Sequence, residues 1–298
     1  MSASLTQAAR QTVARAIAAA LLLTATHSAI AAAPPALRFA PLPIEDPKIV
    51  AADFRPMLAF LEQRTGNAIA LETFVDYGAI LQGLREDRID LAYLGPLPYV
   101  LLTERDEHFE PLVRFLNADG RSEYTCALAR FGNYPRRLES IGGARLALTQ
   151  PYSTCGYLAT ERMLRDAGQT LRHMRYFYAG SHTESILAVV RGDALVGSAK
   201  TDIAAKYQHL NIQIVAESAP LPGFVLVANR RTTTAAQRAA IRDALLSLEP
   251  RSEPSDRATT ASWGPAIRHG TIRAEDRAYD PVRRLYRALP DGIPELTR

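Results

Sequence analysis

Short apolar runs alternate with amphipathic stretches along most of the chain. The runs "LRFAPL" (37–42) and "IDLAYLG" (89–95) are typical of buried β-strands. Between them, residues 51–66 place apolar side chains on one face, which predicts a helix, and Gly66 is a typical helix end. Strands that alternate with helices of this length predict right-handed βαβ units, and therefore mostly parallel sheets flanked by helices.

The same pattern starts again in the middle of the chain. "EYTCALARF" (123–131) predicts a strand, and further strands and helices alternate up to "IQIVAE" (212–217). No long Gly/Ser linker separates the two halves, so we expect an α/β protein of two lobes joined by crossing strands. The expected parts are lobe 1 (35–123 plus 219–298), lobe 2 (124–218) and crossing segments at Glu123–Leu128 and Ser218–Phe224.

Residues 1–31 have the pattern of a signal peptide. Arg10 and Arg15 form a basic start, and "AIAAALLLTA" is an apolar core of about ten residues, too short to span a bilayer. Small residues follow, and cleavage is expected after Ala31. We therefore expect a protein exported to the periplasm.

Charge and composition exclude several functions. The formal net charge is +4, and it falls to +2 without Arg10 and Arg15. Because no stripe of basic residues interleaves with aromatic ones, nucleic acid is not an expected partner. The six histidines and two cysteines show no metal-ligand spacing, so we expect neither a metal nor another cofactor.

Polar residues recur where a predicted strand gives way to a helix, which is where ligands bind in open α/β sheets. Ser153, Thr154 and Gly156 open a helix, and the free N–H groups of a helix start favour an anion. Each position also has a structural explanation: a helix cap, a packing aromatic or a surface histidine. The other candidates at such junctions are Tyr77, Gly95, Tyr99, Tyr157, Ser181 and His182, with Asp76 expected to cap the helix of Tyr77 and Ser181 that of His182.

Cys155 lies in the same turn, within "STCGYL", and the residues leave three alternatives open. A thiol at a helix start has a lowered pKa, as a nucleophile requires. In an oxidising compartment Cys155 could instead form a disulfide with Cys126. The third alternative is two free thiols.

These segments, in order, resemble a known family. "DYGAILQGL", "IDLAYLGPLPYV", "STCGYL", "AGSHTESILAVVRG" and "KTD" are similar to phosphonate/phosphite-type periplasmic substrate-binding proteins of ABC transporters, and to related sensor domains of histidine kinases. The resemblance implies the type II periplasmic binding fold and a small tetrahedral oxyanion as ligand. It implies a monomer that delivers this ligand to an ABC permease, and not an enzyme.

The resemblance also assigns roles to residues. It implies that Ser153, Thr154 and Gly156 hold the anionic head group, with Tyr77 opposite and His182 in the cleft. Asp202 matches the acid that meets the amine of aminoalkylphosphonates. Because residues two apart on a helix point in nearly opposite directions, we expect Asp202 to face inward and Lys200 to face outward.

Two other functions stay open at this stage. The protein could be the ligand-binding partner of a sensor kinase. It could also be an enzyme built on this fold, with His182 and Cys155 as the only candidate catalytic pair.

Overall fold

The computed structural model describes residues 35–132, 137–289 and 292–293. The expected signal peptide, residues 1–31, lies outside the described residues. Within the described ranges no helix is both long enough and apolar enough to span a lipid bilayer.

Lobe 1 is built on a six-stranded sheet in the order β13-β4-β12-β3-β1-β2. Its first helix starts at Pro47, earlier than predicted, because the Asp46 carboxylate accepts the Lys48 N–H. The helix ends before Gly66, whose backbone has the left-handed conformation. The elements of this lobe are β1 (Leu37–Pro41), α1 (Pro47–Thr65), β2 (Ile69–Leu71), α2 (Tyr77–Arg85), β3 (Leu91–Leu94), α3 (Pro96–Thr103), β4 (Phe109–Phe115), β12 (Val225–Asn229), α7 (Ala235–Leu246), α8 (Pro254–Thr260), β13 (Thr271–Arg273) and α9 (Asp280–Arg287).

Lobe 2 is built on a five-stranded sheet in the order β10-β6-β9-β7-β8. Short 3₁₀ turns lie at Leu138–Ser140, Leu171–His173 and Gln208–Leu210. The other elements are β6 (Cys126–Phe131), β7 (Arg145–Leu148), a π-helical turn (Thr154–Ala159), α4 (Thr160–Asp166), β8 (Arg175–Tyr178), α5 (His182–Val190), β9 (Val196–Lys200), α6 (Thr201–Ala205) and β10 (Ile212–Glu217).

The expectation of mostly parallel sheets is wrong, because each sheet is mixed. Strands joined by a crossover helix do pair in parallel, namely β1 with β2 and β3, and β7 with β8 and β9. The remaining pairs are antiparallel. The reason is that β12 and β6 enter their sheets from the opposite lobe, so the βαβ rule does not set their direction.

A two-stranded ribbon connects the lobes. In it, β5 (Glu123–Tyr124) pairs antiparallel with β11 (Leu221–Pro222). These strands fall within the two predicted crossing segments. Aromatic rings surround the ribbon, with Phe224 stacked on Tyr93 at 5.0 Å and tilted against Tyr124 at 5.6 Å. The ribbon is therefore held in an aromatic cluster at the junction of the lobes.

Candidate functional site

The turn that precedes α4 is wound as a π-helix from Thr154 to Ala159. Ser153 caps it, and its Oγ accepts the Gly156 N–H at 3.0 Å. The Thr160 hydroxyl also donates to the Cys155 carbonyl at 2.8 Å. All the residues of this turn are buried, and π-helical turns of this kind occur frequently at functional sites.

Thr154 links this turn to lobe 1. Its Oγ1 accepts the backbone N–H of Leu97, in the first turn of α3, at 2.9 Å. The same hydroxyl lies beside that of Tyr124 in the connecting ribbon, and burial raises the pKa of the tyrosine well above its usual value. Thr154 therefore lies where both lobes and the ribbon meet.

Gly156 has a structural reason to be glycine. A Cβ at this position would lie 2.1 Å from Oγ1 of Thr149, at the end of β7. The close approach that the glycine allows is thus to Thr149, whereas the sequence suggested an approach by ligand. Among the residues that the structure describes, the buried Thr149 hydroxyl has no hydrogen-bond partner.

Tyr77 faces lobe 2 from the start of α2. Asp76 caps this helix as predicted, accepting the Ala79 N–H at 2.7 Å. The Tyr77 N–H donates to Oε1 of Gln150 across the cleft at 2.9 Å, and the Gln150 amide donates to the carbonyl oxygens of Pro43 and Gly180. Tyr77 is buried, which raises the pKa of its phenol far above the usual value.

His182 begins α5 and is also buried between the lobes. Its backbone N–H donates to the Ile44 carbonyl of lobe 1 at 3.3 Å, and its Nδ1 accepts the Lys200 N–H at 3.0 Å. Burial, and then the charge of Lys200, lower the pKa of His182 to about 3. The ring is therefore neutral, and since Nδ1 accepts, its proton lies on Nε2, which is a hydrogen-bond donor.

The expectation that Lys200 faces outward is wrong. The Lys200 side chain is 12% exposed and that of Asp202 is 65% exposed, with Nζ and Oδ2 3.3 Å apart. Helical spacing does not apply to this pair, because Lys200 is the last residue of β9 and only Asp202 lies in α6. The inward-facing group is thus an ammonium, which lies 5.3 Å from the ring centre of Tyr124 and 5.7 Å from that of Phe224.

The other candidates also make structural contacts, and for Gly95, Ser181 and Tyr157 a role in ligand binding stays a prediction. The Tyr99 side chain packs on Tyr279 at 4.5 Å and its hydroxyl donates to Asp276 at 2.6 Å, so it belongs to the interior of lobe 1 and its assignment to the ligand is wrong. Gly95 caps α3 against the Phe224 ring. Ser181 caps α5 by accepting the Glu184 N–H at 3.1 Å, and Tyr157 is buried in the π-helical turn.

A disulfide joins Cys126 to Cys155. It ties the π-helical turn to the first residue of β6, directly beyond the connecting ribbon. With both sulfurs bonded, Cys155 has no thiolate to act as a nucleophile. Across the ranges that the structure describes, no group of three His, Cys, Asp or Glu side chains could hold a metal ion.

Three residues that contribute to this site were not identified from the sequence. Gln150 bridges the cleft, Lys200 faces it, and Glu45 of lobe 1 lies beside Thr183 of lobe 2, where burial raises the pKa of Glu45. The signal in the sequence that could have identified Gln150 is a polar amide that closely follows the apolar run at residues 146–148.

The site is a cleft between two lobes, lined by buried hydroxyls, helix starts and a neutral imidazole. The chain that forms it matches a known family. The family model for periplasmic substrate-binding proteins of phosphonate ABC transporters matches residues 39–279. The chain belongs to this family. The family consists of transport binding proteins and not of enzymes.

Individual relatives agree with this assignment. The phosphate-import protein PhnD of Mycolicibacterium smegmatis is 27% identical over 178 residues, 56% of this chain and 55% of that protein, so the chain spans about half the length of this curated relative. PhnD1 of Prochlorococcus marinus, solved with methylphosphonate, has a TM-score of 0.74 at 17% identity, covering 85% of this chain and 98% of that one. A binding protein component of an ABC phosphonate transporter from Pseudomonas aeruginosa has a TM-score of 0.72 at 20% identity, covering 84% and 85%. These two structures show that the fold is that of two-lobed periplasmic binding proteins.

Proposed function

We propose that this protein is the solute-binding component of an ABC importer and binds a phosphonate or a similar tetrahedral oxyanion between its lobes. The observation that carries this proposal is the buried π-helical turn capped by Ser153, held against lobe 1 through Thr154 and Leu97, in a chain of the phosphonate-binding family.

The proposed contacts with the head group are all hydrogen-bond donors. Ser153 Oγ already accepts the Gly156 N–H, so its own hydrogen is free for an anion oxygen, and Thr154 offers a second hydroxyl. His182 adds Nε2–H, and Tyr77 adds its phenol from lobe 1. Neutral donors suit an anion buried between the lobes, since bonds to an ionised acceptor are about twice as strong as neutral ones.

The location and the partner follow from the family. We propose that residues 1–31 direct export and are removed, and that the mature protein presents its ligand to a permease in the inner membrane. In this proposal residues 35–123 plus 219–298 form one moving body and residues 124–218 the other, with the ribbon of β5 and β11 as the hinge.

Calorimetry tests the proposal. The protein is unfolded, dialysed to remove bound solute and refolded, and it is then titrated with methylphosphonate, phosphite, phosphate and, as a control anion, acetate. We expect saturable one-to-one binding of at least one tetrahedral phosphorus oxyanion and none of acetate. The absence of binding for all three phosphorus compounds by correctly refolded protein would contradict the proposed function.

A further inference from the structure

Lys200 places a cation inside the cleft. Its side chain is 12% exposed, and its ammonium lies over the rings of Tyr124 and Phe224. Cation–π contacts favour an ammonium in this position. Its backbone N–H is fixed by His182 Nδ1 at 3.0 Å. The ammonium is therefore held at the junction of the lobes by two aromatic faces and an anchored backbone.

The charge of Lys200 is incompletely compensated by protein groups. Its ion-pair partner Asp202 is 65% exposed, and water weakens the attraction within exposed ion pairs. His182 is neutral, and burial raises the pKa of Glu45, which favours its uncharged form. A ligand carboxylate could consequently displace Asp202 into solvent at little cost.

Tyr124 contacts both this ammonium and the proposed head-group site. Its hydroxyl lies beside that of Thr154, and its ring centre lies 5.3 Å from the Lys200 ammonium. The ring of Tyr124 thus lies between the ammonium and the proposed head-group site. A short substituent on a phosphonate, such as one methylene and a carboxylate, would extend from this site toward the ammonium.

We propose that Lys200 makes this cleft select phosphonates that carry a second negative charge on their substituent, and discriminate against those that carry an ammonium group. This inference rests on the proposed function, because it assumes that the phosphonate head is held at Ser153 and Thr154. It reverses the ligand class expected from Asp202, since the inward-facing charge is positive.

Three phosphonates of similar size test the inference by calorimetry: phosphonoacetate, ethylphosphonate and 2-aminoethylphosphonate. The wild type is expected to bind phosphonoacetate about 10- to 100-fold more tightly than ethylphosphonate, the range for one charge-assisted contact. It should bind 2-aminoethylphosphonate more weakly than ethylphosphonate. Binding of the amino compound as tight as or tighter than that of ethylphosphonate overturns the role of Lys200 alone, whereas no binding of any phosphonate overturns the proposed function as well.

Variants then assign the preference to Lys200. Lys200→Met keeps the apolar stem, so it should reduce phosphonoacetate affinity to that of ethylphosphonate and change ethylphosphonate affinity little. Lys200→Arg should preserve the ranking. Asp202→Asn removes the competing carboxylate and should strengthen phosphonoacetate binding a few-fold. An equal decrease in the affinities for phosphonoacetate and ethylphosphonate in Lys200→Met would place the ammonium at the head group and overturn the inference. If this variant does not fold, the ranking of the three ligands by the wild type still decides.

Discussion

Gln150 of lobe 2 accepts the backbone N–H of Tyr77 in lobe 1 at 2.9 Å. The same carboxamide donates to Pro43 of lobe 1 and to Gly180 of lobe 2, so all its described bonds are to backbone groups. Through these bonds the buried Gln150 side chain links the start of α2 and the segment after β1 to lobe 2. Gln150 is a closing contact, and it lies just before the turn proposed to hold the ligand.

Gln150→Ala is expected to favour the open arrangement of the lobes. The substitution leaves the Tyr77 N–H unpaired in the closed state, at a cost of about 1–3 kcal/mol, and should weaken methylphosphonate binding about 5- to 100-fold. Small-angle scattering with saturating ligand, together with calorimetry, measures both effects. Gln169→Ala is the matched control, because Gln169 donates to the Glu139 carbonyl within lobe 2 alone. Equal affinities of Gln150→Ala and the wild type would contradict a closing role.

The features that could be predicted from the sequence depend on nearby residues. A carboxylate or hydroxyl before an apolar helix indicates a cap, so Asp76, Ser153 and Ser181 were identified at their helix starts. The βαβ alternation likewise identified the strands that pair in parallel. Each of these signals needs only a short stretch of chain.

The features that could not be predicted depend on contacts between distant segments. The antiparallel position of β12 between β3 and β4 follows from the return crossing, which no local pattern encodes. Lys200 was expected to face outward because it was treated as helical, whereas it ends a strand. The role of Gln150 depends on which segment of lobe 1 approaches it, and that is a property of the closed molecule.

Removal of the Cys126–Cys155 disulfide is expected to destabilise the protein. The cysteines are 29 residues apart, and in the chain-entropy model a loop of this size corresponds to about 3–4 kcal/mol. The double variant Cys126→Ala/Cys155→Ala should show a lower free energy of unfolding by about that amount in urea titrations. Reductant should destabilise the wild type and have no effect on the double variant. Equal stability of the wild type with and without reductant, once thiol titration shows full reduction, would argue against this contribution.

Folding stability is expected to fall in mild acid because of His182. Its pKa is about 3 in the folded protein and about 6.5 when unfolded, so the unfolded state binds a proton first as the pH decreases. His182 therefore leaves the free energy of unfolding unchanged well above pH 6.5. Below that pH it lowers the free energy of unfolding progressively, by about 2 kcal/mol at pH 5.

Urea titrations between pH 5 and pH 7.5 measure this effect. His182→Asn keeps an acceptor for the Lys200 N–H but does not titrate, so its stability should depend less on pH in this range. The exposed residue His209 provides the control, and His209→Asn should retain the full dependence. The same slope in His182→Asn as in the wild type would show that the ring is not held neutral.

The most direct measurement of the central claim is methylphosphonate binding by the double variant Ser153→Ala/Thr154→Ala. The control is Ser140→Ala/Thr259→Ala, because both of its hydroxyls are exposed and donate to nearby carbonyl oxygens. Loss of the Ser153 cap should also cost about 1 kcal/mol of stability, so calorimetry is performed well below the melting temperature. We expect affinity to decrease about 100-fold or more in the site variant, because two charge-assisted hydrogen bonds are lost, and to stay unchanged in the control. Wild-type affinity in a folded Ser153→Ala/Thr154→Ala protein would contradict the claim that this turn binds the oxyanion.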